Sequence, residues 1–251
     1  MRLVSYLKKL LPPPKGIPVL VYHKVWPGVI NTLTITPEKL EEQWRYLRNI
    51  GYNPLSLSEF AAIIDGEIEC PPNSILITFD DGYKNNLTYV YPLLQQLGWC
   101  ATIFIIAGTL DSTFSSAENI PMHELMDIHD LKTIDHTVMQ IAMHGYKHEN
   151  FSWYPSKEID LLLGKAITLF NNSSLAYDKV IAYPYGSDPI EKKQSEKLRL
   201  SFTRQNIRFA FKTGNAICTL PIKDKYKLPR IDISGTDTID DILLKITYGH
   251  K

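Results

Sequence analysis

The stretch Ser74-Ile75-Leu76-Ile77-Thr78-Phe79-Asp80-Asp81-Gly82 constrains this chain more than any other. Its apolar, β-branched run reads as a buried strand. The run stops on two adjacent carboxylates and a glycine. Packing alone does not call for such an ending, because neighbouring carboxylates repel and each needs water or a partner. In an α/β fold, acids at the C-terminal end of a strand are placed to bind a metal or to move a proton. A structural reading competes: Asp81 can simply cap a following helix.

Strand and helix patterns alternate along the rest of the chain. Ile17-Pro18-Val19-Leu20-Val21-Tyr22-His23 reads as a strand ending in a histidine. Thr36 and Pro37 open a helix carrying Leu40, Trp44 and Leu47 at helical spacing, closed by Gly51. Ser58 is expected to cap a short helix through Ile64, and a helix is expected from Lys84 to Leu97, closed by Gly98. Ala101 to Ala107 reads as a strand, followed by an irregular insertion to about Asp135 with a short helix around Met122 to Ile128. Strands are then expected at 138–143, 179–183, 207–211 and 228–233, and helices at 156–170, 190–200 and 238–247. This order implies a mainly parallel sheet, either a barrel or doubly wound. His23, Asp80, Asp81, His144, Tyr185 and Asp232 all fall just after strands. In a barrel they share one rim, where such folds place active sites.

Composition removes several classes. Lys+Arg and Asp+Glu number 27 each, so nothing favours non-specific nucleic-acid binding. The 3 cysteines lack CxxC spacing, which argues against a disulfide framework and a cysteine metal site. No apolar stretch is long enough to span a bilayer. Residues 1–11 put Leu3, Leu7, Leu10 and Leu11 on one helical face before Pro12-Pro13-Pro14, and Lys8 and Lys9 interrupt any signal-peptide core. Residues 1–16 therefore read as a short helix and linker ahead of a single domain over 17–251. The expected location is cytoplasmic, with residues 1–11 offering at most peripheral membrane contact.

His144-Gly145-Tyr146-Lys147-His148 spaces two imidazoles four apart. On a helix both would point to one side. Two imidazoles and a carboxylate form a known catalytic zinc set with an open position for water. Asp81 is the candidate third ligand, leaving Asp80 as a base. The competing reading is a chance pair on a solvated turn, since the chain has 7 histidines.

Taken together, Thr78-Phe79-Asp80-Asp81-Gly82, His144-x3-His148-Glu149-Asn150 and Tyr183-Pro184-Tyr185-Gly186 resemble the polysaccharide deacetylases with a NodB-type domain, carbohydrate esterase family four. The resemblance covers about Ile17 to Ile233. It implies a distorted, incomplete (β/α) barrel of the NodB/glycoside hydrolase-deacetylase type. It implies that Asp81, His144 and His148 hold one divalent metal ion, most often zinc, and that Asp80 is the general base. The backbone N–H of Tyr185 would stabilise the oxyanion, and Tyr183, Pro184 and Tyr185 would form part of the sugar-binding wall. The implied activity is hydrolysis of N-acetyl groups on an N-acetylated carbohydrate, giving a free amine and acetate.

Two departures stand out. The family usually carries an arginine where this chain has Ala182, so Arg230 is expected to reach across and pair with Asp80. No histidine occupies the late Leu-x-x-His-like position. Tyr22-His23 resembles the subgroup acting on poly-N-acetylglucosamine-like exopolysaccharides, in which a histidine from the opposite end of the chain serves as general acid; His23 would then protonate the departing amine. His250 is a weaker rival. A carbohydrate-binding pseudoenzyme, or an O-acetyl esterase using the same metal site, are the alternative functions.

Overall fold

Seven parallel strands close on themselves around the strand expected at Ser74–Phe79. The computed structural model describes residues 15–114 and 120–249; the helix expected over residues 1–11 and His250 lie outside the described residues. In chain order the barrel strands are β1 (Val19–Tyr22), β2 (Ser74–Phe79), β3 (Ala101–Ile105), β4 (Met139–Met143), β5 (Ile181–Ala182), β6 (Ala210–Thr213) and β7 (Leu228–Asp232). Around the barrel they run β1-β7-β6-β5-β4-β3-β2, and β2 pairs with β1 to close the ring, from Val19 opposite Leu76 to Tyr22 opposite Phe79. The barrel of the two sheet alternatives is therefore the correct one. The seam between β4 and β5 is thin, with Met143 opposite Ile181 as its only registered pair. That seam and the short β5 account for the distorted outline.

Because side chains alternate across a strand, Leu76, Thr78 and Asp80 share one face of the β2 line, and Leu228, Arg230 and Asp232 share one face of β7. Arg230 donates to both Thr78 and Asp80 and lies over the Phe104 ring, so these faces meet inside the barrel. The lower interior is apolar, filled by Val19, Leu76, Phe104, Ala142, Ala182 and Phe211. The opposite faces carry Tyr22, Ile75, Ile77 and Phe79 into a second core that includes Trp44 and Trp99. Tyr22 stacks on Phe79 and accepts a hydrogen bond from the Trp44 indole, which fixes the end of β1 just before His23.

The helices are α1 (Pro37–Asn49), α2 (Leu57–Ile64), α3 (Tyr91–Leu97), α4 (Ile128–Leu131), α5 (Ser156–Asn172), α6 (Lys192–Arg204) and α7 (Ile239–Tyr248). Thr36 caps α1 as expected. The cap of α2 is Ser56, not Ser58, because Ser56 and Glu59 form a reciprocal capping box. The helix expected over 84–97 is divided into a π turn at Asn86–Val90 and α3. Pro92 supplies the reason: it has no N–H to continue the α ladder. The short helix expected around 122–128 resolves into a 3-10 turn at Met122–Glu124 and α4. Among the described residues no helix is long and apolar enough to cross a membrane.

Candidate metal centre and active site

The end of β2 is bent by its own sequence. Asp81 has φ +72 and Gly82 φ +79, a left-handed pair that aspartate tolerates better than most residues and glycine tolerates freely. A Cβ on Gly82 would sit 2.8 Å from the Ile105 side chain. The bend leaves Asp80 in line with the barrel interior and turns Asp81 toward the loop after β4.

That loop is not helical. Gly145 and His148 both have positive φ, 76 and 66. The four-residue histidine spacing therefore works through a tight turn instead of a helix face. Glu149 builds the turn: its buried carboxylate accepts from the N–H of Tyr146 at 3.0 Å and of Lys147 at 2.8 Å. A Cβ on Gly145 would lie 3.0 Å from that carboxylate. Burial lifts the Glu149 pKa above the ordinary carboxylate range despite the N–H donors. Glu149 belongs to the His144-x3-His148-Glu149-Asn150 motif, whose spacing alone assigns it no role. The signal was present in an acid just after a glycine-containing turn.

Asp81 Oδ1 lies 3.3 Å from His144 Nε2 and 3.3 Å from His148 Nε2. All three groups are buried, and one ligand atom from each falls within 4.8 Å of the others. Asp81 Oδ1 is a buried acceptor with no well-aligned hydrogen bond. An orphaned carboxylate oxygen between two imidazole nitrogens fits a divalent cation. The other ring nitrogen of His144 lies 3.0 Å from the Ala182 carbonyl oxygen. Donation from Nδ1–H to that carbonyl leaves the Nε2 lone pair facing Asp81, which is how a metal-ligating histidine is oriented. The position expected by family resemblance to hold an arginine thus supplies a carbonyl here.

Asp80 is held separately. Arg230 Nη1 and Nη2 donate to its two oxygens at 2.7 Å each, a fork geometry that lysine cannot reproduce. Arg230 and Asp80 are both buried. The arginine does not pair with Asp232, whose carboxylate instead accepts from Asn215. Burial pushes the Asp80 pKa up, but Arg230, His144 and His23 outweigh it and leave the carboxyl below its usual range. Burial likewise opposes ionisation of Asp81, and the two imidazoles outweigh it. The threonine of the motif has its own work: Thr78 Oγ1 donates to the Leu20 carbonyl at 2.7 Å and lies 3.4 Å from Arg230 Nη1.

A cavity of about 460 Å³ opens over these groups, lined by His23, Asp80, Asp81, His144, His148, Tyr185, Arg230 and Asp232, with Leu33 and Tyr83 at its walls. His23 is half-buried there. Of the three residues expected in the sugar-binding wall, only Tyr185 lines this cavity. Tyr183 is a core residue, 2% exposed, whose hydroxyl donates to the Tyr226 carbonyl and whose ring meets Phe151 and Phe202. Pro184 is buried beside it. Tyr185 has φ +58, and the next residue, Gly186, has no room for a side chain because a Cβ would lie 1.7 Å from Thr213 Oγ1.

The comparisons with known proteins agree with this geometry. The family model for polysaccharide deacetylase matches residues 68–202, more than half of the chain. The YxkH protein of Bacillus subtilis (strain 168) is 27% identical over 173 residues, which cover 69% of this chain and 58% of that protein. The poly-beta-1,6-N-acetyl-D-glucosamine N-deacetylase of Staphylococcus aureus (strain MRSA252) is 25% identical over 226 residues, 88% of this chain and 75% of that enzyme. The enzyme of the same name from Escherichia coli (strain K12) is 28% identical over 102 residues, and the match spans only 15% of its length. In structure, the chain is similar to the Streptococcus pyogenes deacetylase PplD, with a TM-score of 0.77, 18% identity and coverage of 93% of this chain and 99% of that one. It is similar also to IcaB from Ammonifex degensii, with a TM-score of 0.73, 18% identity and coverage of 94% and 98%. The matched segment carries Asp80 and Asp81 at the end of β2 and His144 and His148 after β4, and on that evidence the chain belongs to the polysaccharide deacetylase family.

Proposed function

We propose that the protein is a metal-dependent carbohydrate N-deacetylase, hydrolysing N-acetyl groups of an N-acetylated sugar chain to a free amine and acetate. The observation that carries this reading is the buried trio of Asp81, His144 and His148 beside a second, separately held carboxylate in one cavity. A divalent cation held by the trio, with zinc as the first candidate, supplies Lewis acidity toward the acetyl carbonyl and toward water.

The remaining steps belong to the chain itself. Asp80 accepts a proton from the water that adds to the acetyl carbon. Arg230 keeps the Asp80 carboxylate ionised and fixes its orientation through two hydrogen bonds. The backbone N–H of Tyr185 donates to the oxygen on which negative charge develops. His23 delivers a proton to the amide nitrogen as the carbon–nitrogen bond breaks. The carbonyl carbon leaves as acetate and the nitrogen as the amine. The test is acetate release from N-acetylglucosamine oligomers, with metal content measured on the same sample. His144→Ala should lose both metal and release, and Asp80→Asn should lose release alone. Normal release by Asp80→Asn would overturn the assignment of the base.

A further inference from the structure

His23 and Lys24 are adjacent at the end of β1 and face opposite ways, as successive residues of an extended chain do. His23 lines the cavity over the candidate metal centre. Lys24 lines a second cavity of about 600 Å³, beside Lys84, Asn85 and Glu124. The same division recurs in the loop after β2, with Tyr83 in the wall of the first cavity and Lys84 in that of the second. Residues 23–24 and 83–84 thus belong to a shared partition between the two.

Lys24 joins three elements. Its backbone N–H donates to the Leu33 carbonyl at 3.0 Å, in the short parallel ladder of Lys24–Val25 with Thr34–Ile35. Its Nζ lies 4.6 Å from the centroid of the Tyr83 ring, two residues past Asp81. The same Nζ is paired with the Glu124 carboxylate, on the 3-10 turn of the insertion after β3. That insertion is itself tied to the end of β2: Met126 N donates to the Gly82 carbonyl at 2.8 Å, and Tyr83 forms an antiparallel bridge with Leu125. Leu33, Tyr83 and Ile120 all line the first cavity. Lys24 therefore links three of its walls from behind.

A half-buried ion pair adds little to stability, so the effect of this one lies in what it holds. A general acid works only within hydrogen-bond reach of the atom it protonates, and a shift of about 1 Å at the reacting groups costs roughly a hundredfold in rate. We propose that Lys24 is the positioning residue of His23. By gripping Glu124 and the Tyr83 ring it fixes the end of β1 against the loop after β2 and the insertion, and so sets the reach of the His23 imidazole toward the departing nitrogen. As the carbon–nitrogen bond breaks, the electron pair left on nitrogen takes the His23 proton. The proposal rests on the deacetylase reading of the site and adds the residue that controls this step.

The test compares two leaving groups on the metal-loaded full chain. An amide nitrogen needs a proton to leave, whereas the nitrophenolate of 4-nitrophenyl acetate leaves without one. The quantity read is the ratio of kcat for the N-acetylglucosamine tetramer to kcat for the ester. Lys24→Met, which keeps the stem, lowers this ratio roughly tenfold with metal content unchanged. Glu124→Gln does the same, the double variant goes no lower, and Lys24→Arg recovers part of the loss. An equal loss on both substrates, which a merely structural role would give, overturns the proposal, as does an unchanged ratio. A ratio unchanged in His23→Ala refutes His23 as the acid, and the proposal with it. Proton NMR of the His23 ring, assigned by its absence from His23→Ala, reads the link without turnover. Its resonance moves in Glu124→Gln; an unmoved resonance overturns the proposal. A moved resonance with no acetate released by the wild type supports the link and refutes the deacetylase reading. Acetate release with the ratio intact in Lys24→Met refutes the link and leaves the deacetylase reading standing.

Discussion

Arg230 on β7 grips Asp80 at the end of β2 through two hydrogen bonds of 2.7 Å, and both residues are buried. The two strands are not neighbours; β1 lies between them. The guanidinium therefore crosses the barrel interior to reach its partner, passing Thr78 and the Phe104 ring. Removing one partner of such a pair strands a buried charge. Arg230→Ala is expected to lower the unfolding free energy by about 3 kcal/mol or more, read from urea or guanidinium denaturation. Arg230→Lys keeps the charge but loses the fork, so it should recover part of the stability and little of the turnover. Wild-type stability in Arg230→Ala would show that the pair is not formed in solution.

The trio and Asp80 should separate cleanly by substitution. Asp81→Ala and His148→Ala should lose bound metal after dialysis, whereas Asp80→Asn should retain it. Turnover of Asp80→Asn is expected to fall by roughly 10²- to 10⁴-fold, the usual contribution of a positioned base. Metal analysis and acetate release on the same preparations read both quantities. Loss of metal from Asp80→Asn would place that residue among the ligands.

Gly186 is a steric requirement of the loop that carries Tyr185. Its φ is +61, and an added Cβ would lie 1.7 Å from Thr213 Oγ1. Gly186→Ala is expected to cost roughly 1–3 kcal/mol in stability and to reduce turnover more than metal binding, because the displaced element is the loop and not the trio. Thermal unfolding and metal content on one sample distinguish the two. Unchanged unfolding in Gly186→Ala would show that the loop sits elsewhere.

Asp188 follows that loop and bridges Lys212 at 2.6 Å and Lys227 at 2.6 Å. Burial would raise its pKa, and the two ammonium groups outweigh burial, so the folded value lies below the ordinary carboxylate range. A depressed carboxyl contributes stability that is present above the unfolded pKa, about 3.9, and is lost as the pH falls through the lower folded value. Asp188→Asn should therefore destabilise by about 1 kcal/mol at pH 7, and the penalty should shrink below about pH 4. Denaturation midpoints at several pH values check the sign; a penalty that grows on acidification would contradict it.

Much of this was legible in the sequence, and the gaps have physical causes. The limits of β2, Ser74–Phe79, follow from its β-branched run and the Asp-Asp-Gly stop. Thr36-Pro37 located the start of α1, because a side-chain cap and a proline act within one turn. The grouping of Asp81, His144 and His148 was readable from motif spacing, but the shape of the turn was not. Helical spacing and a left-handed turn both bring residues four apart together, and only Glu149 under the loop decides between them. The sequence pattern favours Ser58 as the cap of α2, whereas the reciprocal contact with Glu59 selects Ser56. The family resemblance puts Tyr183 in the sugar-binding wall. Strand alternation sends its ring to the core face instead, where its hydroxyl finds the Tyr226 carbonyl.

The most direct measurement is acetate release from N-acetylglucosamine oligomers by the purified protein, before chelation, after chelation and after return of zinc. Chelation should abolish release and zinc should restore it. Release that is indifferent to chelation, or no release from protein carrying one metal per chain, would contradict it.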